Sequence, residues 1–156
     1  MLLLIVLAAL ATLALVTWTG AVLAERAHPP QGRMVDVAGA KGGMLDRGYE
    51  VTLADVRAAL GRVGIDEGSI QPGDGIFFNT GWGSLWMQDN DRFNSGEPGI
   101  GLEVARWVVE KQAALVGADT WATEVVPNPD PNLAFVVHQE LITKNGIFNH
   151  ENLDFT

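Results

Sequence analysis

The chain has 156 residues, enough for one domain with a short appendage and too few for two. Nineteen acidic side chains against ten basic ones leave a formal charge of −9, which excludes a nucleic-acid binder, because neutralising phosphates requires a basic face. There is no cysteine, so disulfides, thiolate nucleophiles and Cys-ligated zinc are excluded together.

Residues 1–24 carry no charged side chain. As a helix this run would measure about 36 Å, against a hydrocarbon core of about 30 Å. It reads as a transmembrane or signal-like segment, with Val22 to Ala24 as a small-residue cleavage site. All basic residues follow Glu25, so an uncleaved anchor favours a cytoplasmic body, whereas a cleaved leader would place it outside. A misplaced start of the reading frame would leave it cytoplasmic. Residues 25–31, with Pro29 and Pro30, form a linker, and residues 32–156 form the body.

Arg33 to Val37 predicts a short extended stretch, and Gly39 to Asp46 a glycine-rich loop. Thr52 followed by Asp55 makes a capping box, and Leu53, Val56, Ala59 and Leu60 continue at helical spacing, predicting a helix over 53–62. Gln71 to Asp74 is a Pro-Gly turn, and Gly75 to Thr80 a buried strand. Residues 81–100 read as one long loop. A second amphipathic helix is predicted over 102–113, then a strand at 115–119 and a proline-rich loop at 120–132. Val136 to Lys144 predicts a helix closed by Asn145 and Gly146, and Ile147–Phe148 a strand fragment. Alternating strands and helices point to an α/β domain.

Of the three histidines, His28 sits in the linker as a solvated residue. His138 and His150 bracket a turn and lie beside Glu140 and Glu151, and imidazole with carboxylate is the ligand set of Zn²⁺ or Mn²⁺. A hydrogen-bonded structural histidine is the competing reading of the same spacing. Asp89 to Asp91 begins like a calcium loop but has Phe93 where an oxygen ligand belongs. Gly99 and Gly101 lack the third glycine of a dinucleotide fingerprint, and no serine lies in a nucleophile elbow. Trp82, Trp86 and Trp121 fall in or near loops, where they could wall an aromatic pocket or pack the loops down.

Several segments, in order, resemble the cyclase family of metal-dependent hydrolases, which includes bacterial kynurenine formamidases and isatin hydrolases. They are Pro72 to Asp74 with Phe77 to Trp82, Pro98 to Trp107, Leu115 to Thr120, and Val137 to Leu141 with Glu151 to Leu153. The resemblance implies a compact, mixed-sheet, barrel-like α/β domain of the cyclase type, here its C-terminal part, behind an N-terminal apolar helix. It implies that His138 and Glu151 match late metal ligands for Zn²⁺ or Mn²⁺, with His150 competing for the role. Thr80, Gly81 and Trp82 would line the substrate pocket, joined by Trp86 and Trp121. The implied activity is hydrolysis of a C–N bond in a formamide or cyclic amide, with an N-formylkynurenine-type substrate of tryptophan catabolism as the arylformamidase-like case. The family's first metal motif, His-x-Gly-Thr-His-x-Asp, has no counterpart in these residues. Its ligands would have to come from another chain or an upstream segment, which implies a homo-oligomer or association with another chain. The alternative is an inactive, membrane-tethered remnant that binds a small aromatic ligand or a related subunit.

Overall fold

The computed structural model describes residues 10–19 and 32–155. They fall into two units, one within Met1–Gln31 and one spanning Gly32–Thr156. In the first, residues 10–19 form helix α1, with every side chain exposed. The hydroxyls of Thr17 and Thr19 donate to the carbonyls of Leu13 and Leu15, which lets these polar groups sit in an apolar helix. Among the described residues no helix is long and apolar enough to cross a membrane. The rest of the apolar run and the linker lie outside the described residues.

The second unit is α/β. Its main sheet has four parallel strands in the order β1 (Gly32–Asp36), β3 (Gly75–Asn79), β5 (Leu115–Ala118) and β6 (Phe148–His150). A second, two-stranded parallel sheet pairs β2 (Glu50–Val51) with β4 (Gly99–Ile100). Neither sheet closes into a barrel, so the barrel-like expectation becomes an open parallel sheet among the described residues. Parallel strands need long crossovers, and the intervening helices supply them. They cover the sheet and leave Val35, Ile76, Phe78, Val116 and Ala118 with almost no exposed surface.

Helix α3 (Leu53–Arg62) follows the capping box read from the sequence: Asp55 N–H donates to the Thr52 hydroxyl, and the Asp55 carboxylate accepts from Thr52 N–H at 3.0 Å. It packs against β1 and helix α5 (Leu102–Glu110), joining Val56, Leu60, Val104 and Val108 to the strand side chains in one core. The stretch expected to be a glycine-rich loop opens instead as helix α2 (Val37–Lys41). Asp36 caps it by accepting from Gly39 N–H at 2.8 Å, and Gly42, at φ 88°, closes it. A Cβ at Gly39 would lie 1.9 Å from the Asp36 carboxylate, so a larger residue there would push the capping side chain aside. Glycine serves here as helix punctuation.

Residues 81–100, expected as one loop, contain a 3₁₀ turn at Trp82–Leu85, helix α4 (Asn90–Phe93) and strand β4. Helix α5 stops at Glu110, short of the expected end, because Gln112 takes φ 55°. Ala113 is buried after that turn and so extends the apolar pattern beyond the helix itself. Helix α6 (Val136–His138) runs on into a π-helical turn over Gln139–Lys144 that leads to β6.

Candidate functional site

At the carboxyl end of β5 the chain enters the segment 119–126, and at the end of β6 it reaches Glu151. These two ends converge on helix α6. His138 is the centre of the convergence. Its Nδ1 lies 2.5 Å from Glu124 Oε1, and its Nε2 lies 2.8 Å from Glu151 Oε1. Glu124 is almost fully buried, and its carboxylate also accepts from the backbone N–H groups of Val137 and His138. Glu151 accepts from Thr123 N–H at 3.1 Å and from the Asn149 side-chain amide at 3.0 Å. Asn149 is in turn oriented by the Thr123 hydroxyl, which donates to its Oδ1.

This arrangement constrains the protons. Glu124, taking two backbone N–H bonds as an acceptor, also accepts from His138 Nδ1–H. The lone pair of Nε2 then faces a carboxylate oxygen, and two acceptors so close require a cation or a proton between them. With a proton there the ring is an imidazolium. Accordingly the hydrogen bond to Glu124 raises the His138 pKa against the opposing effect of burial, and the Glu151 charge raises it further.

His138 and Glu151, the residues singled out from the sequence, are therefore in contact. His150 is not part of the couple. Strand alternation turns Asn149 toward His138 and leaves His150 exposed on the other face of the edge strand. Among the described residues no group of three or more His, Asp or Glu is arranged to hold a metal ion. The donor chemistry of Nε2 and Oε1 still suits two ligands of a divalent cation, with Glu124 holding the ring from behind.

The aromatic and Thr-Gly residues lie elsewhere. Thr80 is fully buried, and its hydroxyl and N–H both donate to Asp119. Trp82 is fully buried, donates from Nε1 to the Phe93 carbonyl, and packs with Leu85 and Phe93, with Trp121 against the same cluster. Neither Thr80 nor Trp82 has surface to offer a ligand. Trp86, 56% exposed, edges a cavity of about 300 Å³ with Phe93 and Asp154, and Gly81 a smaller cleft next to it.

A different cavity adjoins the histidine. It measures about 450 Å³ and is lined by Glu124, Val125, Pro127, Leu133 and Phe135 among others. The Phe135 ring meets the His138 imidazole edge-on at 5.3 Å, with its backbone in the left-handed region at φ 52°. Sequence reasoning missed both Glu124 and this cavity. The only signal was an acidic residue directly before the apolar pair Val125 and Val126.

A parallel α/β domain with a histidine–carboxylate couple at its strand ends is the class of protein that the fold and site define. Residues 22–125 match the Cyclase family model, and the chain belongs to that family. The match ends before His138 and Glu151. No curated protein matches. Among solved structures, a cyclase is 33% identical with a TM-score of 0.66, aligned over 78% of this chain and 39% of its own. Isatin hydrolase A from Ralstonia solanacearum is 19% identical with a TM-score of 0.58 over 78% and 46%. Isatin hydrolase A from Labrenzia aggregata, solved with benzyl benzoate, is 15% identical with a TM-score of 0.56 over the same shares, 78% and 46%. The two isatin hydrolases share the fold at that identity, and the chain spans less than half the length of each of these three proteins.

Proposed function

We propose that this domain supplies the histidine–glutamate part of a metal-dependent amide hydrolase, opening the C–N bond of a formamide or cyclic amide. The observation that carries the reading is His138 held between buried Glu124 on Nδ1 and Glu151 on Nε2. Glu124 fixes the tautomer and aims the Nε2 lone pair, and Thr123 and Asn149 hold the Glu151 carboxylate beside it. His138 and Glu151 would hold a divalent cation, Zn²⁺ or Mn²⁺, which when bound polarises a carbonyl and makes water acidic enough to attack it. A catalytic zinc takes three protein ligands and water. The remaining ligands come from outside the described residues, from another chain or another segment. The apolar cavity beside Phe135 suits the ring of an aromatic amide, its polar group directed to the histidine.

The test is metal content per chain in the purified full-length protein, with His138→Ala and Glu151→Ala alongside. Near-stoichiometric Zn²⁺ or Mn²⁺ in the wild type, lost in both variants, is expected, together with hydrolysis of N-formylkynurenine or isatin. Folded wild-type protein without metal and without hydrolysis would instead favour a binding module for a small aromatic ligand.

A further inference from the structure

Glu97 is a large, fully buried acidic side chain that the histidine couple does not touch, yet it grips the segment that builds the couple. Its backbone makes a two-bond antiparallel bridge with Val126, N–H to carbonyl at 2.7 Å one way and 3.1 Å the other. Its side chain reaches the other end of that segment: Oε2 accepts from Trp121 N–H at 2.8 Å and Oε1 from Ala122 N–H at 2.6 Å. One residue thus clamps positions 121, 122 and 126. Ile100 holds the middle, donating to the Thr123 carbonyl and accepting from Val125 N–H. Between the clamps stand Thr123 and Glu124, the residues that hold Glu151 and His138. The approach leaves no slack, because a Cβ on Gly99 would come within 2.3 Å of the Glu124 backbone.

A carboxyl group is costly to bury so completely. Burial pushes the Glu97 pKa up to about 8 in spite of the two backbone donors, and the charges of Glu151 and Asp119 add to the rise. A hydrophobic side chain of the same size would fill the space without that cost, but it would leave both N–H groups buried and unpaired. Both N–H groups need an acceptor, and the two carboxyl oxygens supply one each.

We propose that Glu97 is a positioning residue for the histidine couple: by gripping Trp121 and Ala122 it sets the Thr123–Glu124 segment and so fixes the orientation of the His138 ring. The inference rests on the proposed hydrolase reading only for its metal-binding arm. The experiment compares Glu97→Gln, Glu97→Asp and the core control Val108→Ala with the wild-type full chain, by two readouts. Nitrogen-detected NMR of the histidine rings, recorded without metal at a pH above the raised His138 pKa so that the ring is neutral, reports its Nδ1–H tautomer, and Zn²⁺ titration reports affinity. Glutamine offers one acceptor and turns an amide on the second N–H, while aspartate is too short to reach both. Both variants are expected to lose the single fixed tautomer and to bind Zn²⁺ at least about 10-fold more weakly. Val108→Ala, though destabilised, should keep both signatures. A wild type that binds no Zn²⁺ but shows the tautomer change in the variants would sink the hydrolase reading and leave the positioning role standing. Folded Glu97 variants with the wild-type tautomer would overturn the proposal. So would failure of both to fold, since Glu97 would then belong to the fold and not to the site.

Discussion

A single missing side chain shows how closely the parts of this domain approach. At Gly99 any Cβ would strike the backbone of Glu124 and Val125 at 2.3 to 2.6 Å, and backbone cannot swing aside as a side chain can. Gly99→Ala should therefore cost about 3 kcal/mol of stability, read as a lowered denaturant midpoint, and should disturb the His138 resonances as Glu97 substitutions do. Glu124 works at the same scale. Its value lies in three donors converging on one carboxylate, none of which is near it in sequence. Removing it leaves His138 free to choose its tautomer, which no change at an exposed acid such as Asp130 would do.

Helix α3 illustrates what is local in the fold. The Thr52–Asp55 box is complete, and the same carboxylate also takes the Tyr49 hydroxyl at 3.0 Å and the Lys41 ammonium at 2.6 Å. Burial alone would raise the Asp55 pKa, but the hydrogen bonds from Lys41, Thr52 and Tyr49 outweigh it and hold it at about 2. A carboxyl lowered on folding stabilises fully above its unfolded value, about 4, and loses that contribution as pH falls through its folded value. Thr52→Ala should cost about 1 kcal/mol at neutral pH. Asp55→Asn should lower the melting temperature at pH 7 and matter progressively less toward pH 2. Equal melting shifts across that range would show that the carboxylate charge is not what Asp55 contributes. Glu67 does the parallel task between helices: the Arg57 hydrogen bond, with that of the Trp107 indole, holds it at about 2, tying α3 to α5.

For the domain as a whole, the main sheet ends on β6, an edge strand of three residues whose Phe148 is 71% exposed. Ile142, on the preceding turn, is 46% exposed. An unpaired edge flanked by apolar side chains invites pairing with another chain. Self-association that grows with concentration is expected in sedimentation velocity, and Phe148→Lys should weaken it. A monodisperse wild-type monomer at high concentration would remove the basis for that expectation.

Sequence by itself determined the local features. The capping box and apolar spacing placed α3 at its observed bounds, and the apolar run at Gly75 to Thr80 placed β3 to within one residue of its observed end at Asn79, because caps and periodicity act over a few residues. Spacing set His138 and His150 beside Glu140 and Glu151, and it was the resemblance to the cyclase family that singled out His138 with Glu151, which the structure places in contact. Where glycine sits inside a helix, as at Gly39 in α2, composition misread it as loop, and where Ala113 was buried after α5 ended, periodicity overran. Tertiary structure alone decided that Glu124 and Glu97 matter, that His150 faces away, and that Thr80 and Trp82 are internal. Each of those outcomes depends on which strands lie side by side, and contacts made across 14 to 39 positions of chain leave no periodic trace in the sequence.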